Sequence, residues 1–235
     1  ISNAWSIITI DLNNLETPNA DILTFNDNIE NAIKSYNIKG FVLSNISNLL
    51  LLDNVLENCS LNKNNFNFIA NYTFNIFNNH SVKELKKLGF NRFTISPELN
   101  KETILDLTSS NTEVLASELI VYGKTPLMNM NYCLLGKANK CYPNCDAKCN
   151  SCNKYYLKDR LGLNFEIIPD NIQTVTTIYN SKITSIPGKI FNVDSVRIDI
   201  LHESIPEINA ITTVVRDGKR IEGKDYTSGN LNKEI

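Results

Sequence analysis

Runs of β-branched and aromatic residues alternate along this chain with runs of helical spacing, and nothing else in the sequence constrains its fold as strongly. Strand-like stretches run from Ser6 to Leu12, Gly40 to Ser44, Phe66 to Phe77, Arg92 to Leu99, Val114 to Tyr122, Thr174 to Tyr179 and Val196 to Leu201. Between them Asn28 to Tyr36, Leu49 to Asn58, Val82 to Leu88, Lys101 to Leu107 and Pro206 to Arg216 carry helix formers or apolar residues at helical spacing. Asn100, ahead of Lys101, Glu102 and Thr103, reads as an N-cap. Strand and helix in alternation predict βα units, and hence an α/β, TIM-barrel-like fold of largely parallel strands. A chain of 235 residues suits one such domain over 1–235, with 1–20 expected as a remnant of a preceding segment and 223–235 as a tail.

A net charge of -2 and a pI near 5.8 exclude a globally basic surface for nucleic acid. No apolar run approaches the roughly 20 residues of a membrane-spanning helix, and no basic-plus-apolar leader is seen. We therefore expect a cytoplasmic chain, and the start at Ile1 with the polar stretch from Gly223 to Gly229 leads us to expect a domain of a larger protein. Its partners would then be the other domains of that parent, with no membrane.

Alternation also nominates polar residues. In Ser195, Val196, Arg197, Ile198, Asp199 and Ile200, strand geometry places Arg197 and Asp199 on one face. Asn71, Thr73 and Asn75 share a face in the same way. Barrel enzymes carry their chemistry at the C-terminal ends of strands, which adds Glu98 and Asn180.

Five of the six cysteines, Cys133, Cys141, Cys145, Cys149 and Cys152, fall in one short stretch. A secreted disulfide scaffold spreads its cysteines through a shorter chain, so clustering points to metal. Thiolates two or three residues apart close onto one zinc ion or iron-sulfur cluster through a tight loop, and Lys137, Lys140, Lys148 and Lys154 favour their ionised form. The other reading is a reduced, metal-free loop. Cys145, Cys149 and Cys152 also have the three-then-two spacing of radical S-adenosylmethionine enzymes, but Ser151 stands where those carry an aromatic residue. Cys59 reads as an inert thiol near a helix end, and His80 and His202 as surface residues.

Several strings resemble a known family. Val121, Tyr122, Gly123, Lys124, Thr125, Pro126, Leu127, Met128, then Tyr132, Cys133, then Tyr156 to Gly162, then Ile178, Tyr179, Asn180, Ser181 look like peptidase family U32, the collagenase-like peptidases. The strings from Asn71 to Asn78 and from Ile95 to Leu99 fit the same pattern, and the match is most similar to the C-terminal unit of the long bacterial members. The resemblance implies a barrel-like α/β fold and a cluster held by four cysteines. It also implies a divided record of activity: collagen-degrading peptidases on one side, oxygen-independent hydroxylation of RNA or of a quinone precursor on the other. The family's fourth cysteine falls here at Thr174, which cannot act as a thiolate. Cys133, Cys149 and Cys152 match the other three, leaving Cys141 or Cys145 as substitute.

Three functions follow as expectations. The first is a unit supporting RNA hydroxylation with one iron-sulfur or zinc centre, using a polar patch of Glu98, Lys158, Arg160, Arg197 and Asp199 as its catalytic residues. The second is a collagenase-like peptidase, a hydrolase, although the chain contains neither Gly-x-Ser-x-Gly nor His-Glu-x-x-His. The third is a degenerate repeat that binds a structural metal.

Overall fold

Five strands pair in the order in which the chain makes them: β1 (Ser6–Ile10), β2 (Ile38–Leu43), β3 (Asn67–Ala70), β4 (Arg92–Thr94) and β5 (Ala116–Gly123). Every one of these neighbours is parallel. The connections are α1 (residues 29–35), α2 (Ser47–Asn58), α3 (Asn79–Lys87) and α4 (Lys101–Ser110). Crossovers of this kind are right-handed, so a strand order that never reverses winds its helices onto one face. The computed structural model describes residues 6–10, 29–36, 38–110, 115–138, 154–170 and 175–233. They divide into two compact units, 1–120 with 190–196 and 230–235, and 121–189 with 197–229, the boundary falling inside β5.

The first unit is built on strand aromatics. Register pairs Phe41 with Phe68, and their rings lie 6.2 Å apart. Both are buried, as is Phe93 on β4. Helix α2 buries Leu49, Leu52, Val55 and Leu56, the three-and-four spacing of one helical stripe. Helix α3 starts at Asn78, whose side chain accepts the Ser81 N–H, and carries Lys86 and Lys87 in its last turn, where cations suit the helix dipole. Asn100 caps α4 as its sequence promised: its Oδ1 accepts the Thr103 N–H at 3.0 Å and the Thr103 hydroxyl at 2.8 Å.

The expected strand from Phe66 to Phe77 is corrected. β3 stops at Ala70, and the Asn71 side chain accepts the Tyr72 N–H to start a 3₁₀ turn over Tyr72–Phe74, with Asn75 left-handed at φ 50°. Short polar side chains compete with ladder hydrogen bonds, and here that competition wins. Asn71, Thr73 and Asn75 therefore do not share a strand face. The strand expected from Arg92 to Leu99 likewise ends at Thr94.

The second unit departs from the parallel plan. Its elements are β6 (Pro126–Met130), α5 (Leu134–Ala138), β7 (Tyr155–Lys158), β8 (Asn164–Asp170), β9 (Val175–Tyr179), β10 (Ile183–Ser185), β11 (Ser195–Ile198, shared with the first unit), α6 (Ile205–Arg216) and β12 (Tyr226–Thr227). β6, β9, β8 and β7 form, in that order, a four-stranded antiparallel sheet. The end of β5 pairs antiparallel with β10, which runs parallel to β12. Ser204 opens α6, its backbone N–H and hydroxyl both donating to Glu207 at 2.7 and 2.6 Å. The chain is thus mixed α/β with a mostly parallel sheet. Among the described residues no helix is long and apolar enough to cross a membrane.

Gly40 tests the β2–β3 packing, since a Cβ there would lie 2.4 Å from the Asn67 carbonyl oxygen and 2.9 Å from the Asn67 Cβ. Backbone cannot swing away as a side-chain tip does, so Gly40→Ala is expected to cost about 2 kcal/mol in urea denaturation. Stability equal to wild type would overturn that packing.

Candidate functional site

The end of β5 organises the polar groups of the second unit through three successive residues. Tyr122 is buried, and its hydroxyl donates to Glu203 Oε1 at 3.1 Å. The other Glu203 oxygen accepts the Leu201 and His202 N–H groups at 2.7 and 3.0 Å. Gly123 has φ 142° and admits the chain at Asp199, whose backbone oxygen lies 2.8 Å from where a Cβ would stand. The Asp199 N–H donates to the Tyr122 carbonyl at 2.8 Å. Lys124 then extends its ammonium to Glu166 Oε2 at 2.5 Å.

Glu166, on β8, has a side chain only 3% exposed and holds a second partner, His202 Nε2, at 2.8 Å from Oε1. The Lys124 ammonium donates a hydrogen bond to this carboxylate, and the His202 ring lies in close polar contact with its other oxygen. The group gathers one buried carboxylate, one ammonium and one imidazole.

The titrating neighbours differ from one another. Burial raises the Glu203 carboxyl, but the N–H groups of Leu201, Glu203 and His202 and the Tyr122 hydroxyl outweigh it and hold the group below the usual carboxylate range. Burial pushes the Tyr122 hydroxyl well up, and the adjacent Glu203 charge adds to this. Asp199 is raised by burial in spite of Arg197, whose guanidinium meets it at 2.9 Å.

A second arrangement surrounds Cys133. Its buried thiol accepts the Gly136 N–H at 3.2 Å and packs with Leu135 and Tyr155. The Thr176 hydroxyl donates to the Tyr132 carbonyl at 2.8 Å, which ties β9 beside the residue preceding Cys133. Tyr155 lies three residues after Cys152, and Thr176 two after Thr174. Cys141, Cys145, Cys149, Cys152 and Thr174 themselves lie outside the described residues. Among the described residues no three His, Cys, Asp or Glu side chains gather as a metal site.

The expected catalytic residues are distributed as follows. Arg197 and Asp199 form an ion pair, with Asp199 just past the end of β11, so the strand expected to reach Leu201 is shorter. Lys158 ends β7 and Arg160 sits in the turn after it, both exposed. Glu98 is exposed in the first unit, its backbone N–H on Ser96 Oγ at 3.3 Å. That unit also has an open depression of about 530 Å³ after β2 and β3, lined among others by Ser44, Thr73, Phe74, Ser81 and Leu85. His202, expected as a bare surface residue, is tied to Glu166. Cys59 caps α2, and burial pushes its thiol up, in keeping with an inert group.

Comparison with protein-family models gives no match, and searches of curated proteins and of solved structures give none.

Glu166→Gln removes the charge that holds both Lys124 and His202. Breaking a buried pair costs about 3–5 kcal/mol, but the Lys124 and His202 side chains are partly exposed and regain water, so a loss of about 2 kcal/mol in urea denaturation is expected. A loss below about 0.5 kcal/mol would remove the cluster as a structural centre.

Glu203 makes a pH prediction. A carboxylate whose folded pKa is depressed below 4.5 contributes stability above 4.5, lost as pH falls through the folded value. The stability gap between wild type and Glu203→Gln is therefore expected to be constant above about pH 6 and to close under acid, staying below about 1 kcal/mol because the group is partly solvated. A gap that widens as pH falls would reverse the assignment.

Proposed function

We propose that this chain is a unit of the U32 peptidase family within a larger protein, that it holds one iron-sulfur or zinc centre, and that it supports oxygen-independent hydroxylation of RNA rather than proteolysis. The singly wound run β1 to β5 is what a barrel of βα units contains, and we extend it to a TIM-barrel-like fold. The observation that carries the metal reading is the convergence on Cys133. The cysteine segment leaves from α5, directly after Cys133, and returns at Tyr155, which packs on Cys133. A segment whose flanking residues already meet beside a buried thiol costs less entropy to close on a metal than one with free ends.

The donor set fits such a centre. Cys133 offers a soft, buried sulfur that already accepts a backbone N–H, as metal-bound thiolates do. Cys133 and three of Cys141, Cys145, Cys149 and Cys152 would hold the group, which compensates for the loss of the family's fourth cysteine at Thr174. Zinc there would supply cross-linking, and an iron-sulfur cluster one-electron chemistry. The chain's own Lys124, Glu166 and His202 would supply a buried cluster of polar groups beside it in the same unit. Arg197 and Asp199 would add an ion pair whose acid is raised by burial.

Anaerobic purification with metal analysis and a visible spectrum tests this reading. One centre per chain is expected, brown if iron-sulfur, or with Zn–S distances of about 2.3 Å by X-ray absorption if zinc. Both Cys133→Ser and the double change Cys149→Ser with Cys152→Ser are expected to abolish binding. Metal content unchanged in both variants would sink the proposal.

A further inference from the structure

The four-stranded sheet of the second unit has two chemically different faces. Register puts Tyr155, Ile167, Ile178 and Met128 in one row, the apolar face that meets Cys133 through Tyr155. On the opposite face Tyr156 stands across from Glu166, and Lys158 across from Asn164. Tyr156 is 49% exposed, and Lys158 and Asn164 are exposed beside it. Glu166 meets Lys124 and His202, and this edge of the face presents an aromatic ring, a cation and an amide.

The charge of the β7–β8 hairpin is set by its turn. From Lys154 to Asn164 the hairpin carries Lys154, Lys158 and Arg160 against one acid, Asp159. That acid is spent internally: its Oδ1 accepts the Leu161 and Leu163 N–H groups, both at 2.8 Å. Its backbone N–H reaches the Leu163 carbonyl at 3.0 Å, and Gly162 takes φ 82° to complete the loop. Lys154 is near enough to Glu207 to help lower its carboxyl, whereas Lys158 and Arg160 form no ion pair among the described residues. A chain of net charge -2 thus holds a net positive hairpin with a rigid turn.

We infer that the Tyr156, Lys158, Arg160 and Asn164 edge of this sheet is a docking surface for single-stranded RNA, an inference that rests on the RNA reading above. Every unpaired base offers a face on which a tyrosine stacks, and every nucleotide brings a phosphate for a neighbouring cation. A duplex hides its base faces and leaves the ring unused. An added protein strand fits less well, because β7 is a four-residue edge that ends in Lys158, and edge lysines oppose strand addition. Asn164 supplies both a donor and an acceptor for a base edge.

The test uses the full chain and a fluorescein-labelled, mixed-sequence 12-nucleotide RNA, by anisotropy at 50 and 200 mM salt. Single-stranded RNA is expected to bind at least about fivefold more tightly than the matching duplex, with affinity falling as salt rises. Tyr156→Ala is expected to weaken binding at least about fivefold, and Lys158→Glu with Arg160→Glu at least about tenfold. The equal charge change Lys83→Glu with Lys86→Glu, on exposed positions of α3, is expected to stay within about twofold. Circular dichroism and metal content, unchanged in all variants, separate a lost surface from a lost fold. Three results would overturn the inference: no RNA binding by a metal-loaded chain, equal binding of duplex, or wild-type affinity in both hairpin variants. The first leaves the metal centre standing and removes RNA from the account. RNA binding that depends on the hairpin in a chain without metal would support the surface and remove the centre.

Discussion

A carboxylate buried to 3% exposure has to be answered by a cation and polar neighbours, and the second unit is arranged around that demand. Taking one ion out of water costs several kcal/mol after relaxation, so an uncompensated Glu166 on an interior strand would oppose folding. The compensation arrives from far along the chain: Lys124 just after β5, and His202 just before α6. One carboxylate therefore fixes β8 against two segments with which it has no ladder. The remaining polar contacts of β5 serve the same end. Glu203 fastens the backbone at Leu201 and His202 and takes the Tyr122 hydroxyl, which holds the His202 ring where Glu166 meets it. Gly123 is required because a side chain at that point would strike Asp199. An apolar replacement of the whole cluster is the usual route to a more stable core, so three polar side chains at this cost argue for a use beyond stability.

Where local signals and tertiary demands agree, the sequence alone described the first unit well. The β2 and β5 strands and the α2, α3 and α4 helices stand within a few residues of their expected places, because apolar periodicity and the caps at Asn78 and Asn100 act within a few residues of chain. In the second unit β9, β11 and α6 also stand near their expected places, but β6, β7 and β8 were not expected, for an equally physical reason. Strands β7 and β8 mix Tyr, Lys, Asn and Glu with their apolar residues, since one face is polar and the turn between them is charged. Partner strands stabilise such segments, and intrinsic preference for extended backbone contributes little. Antiparallel pairing of β6 with β9 joins residues about fifty positions apart, and no local pattern announces it.

The site was legible in part. The Arg197–Asp199 ion pair was legible because residues two apart along nearly extended backbone stand on the same side, although Asp199 lies just past the end of β11. Lys124, Glu166 and His202 were missed because each is unremarkable in its own neighbourhood and only the fold joins them. One signal was available: Glu166 stands between Phe165 and Ile167, an acid inside an apolar run, and such residues seldom enter a core without a cation. The cysteine segment was conspicuous for the opposite reason. Thiols crowd together by spacing alone, and Cys133 is the one of the five whose surroundings can be described: buried, hydrogen-bonded at sulfur, and packed against Tyr155.

Alternation along β7 places two tyrosines on opposite sides of one short strand. Tyr155 turns toward Cys133, and Tyr156 turns to the face of Glu166. Shifting the strand by a single residue would exchange them, burying Lys158's row and exposing the apolar one, so its register with β8 is under strong constraint. Tyr155, the first residue of this strand, packs on Cys133, and the basic turn begins where the strand stops. Packing of Tyr155 against Cys133 therefore also fixes the register that presents Tyr156 and Lys158. Packing on the thiol side and charge on the open side are linked through four residues of backbone, with no contact needed between the two.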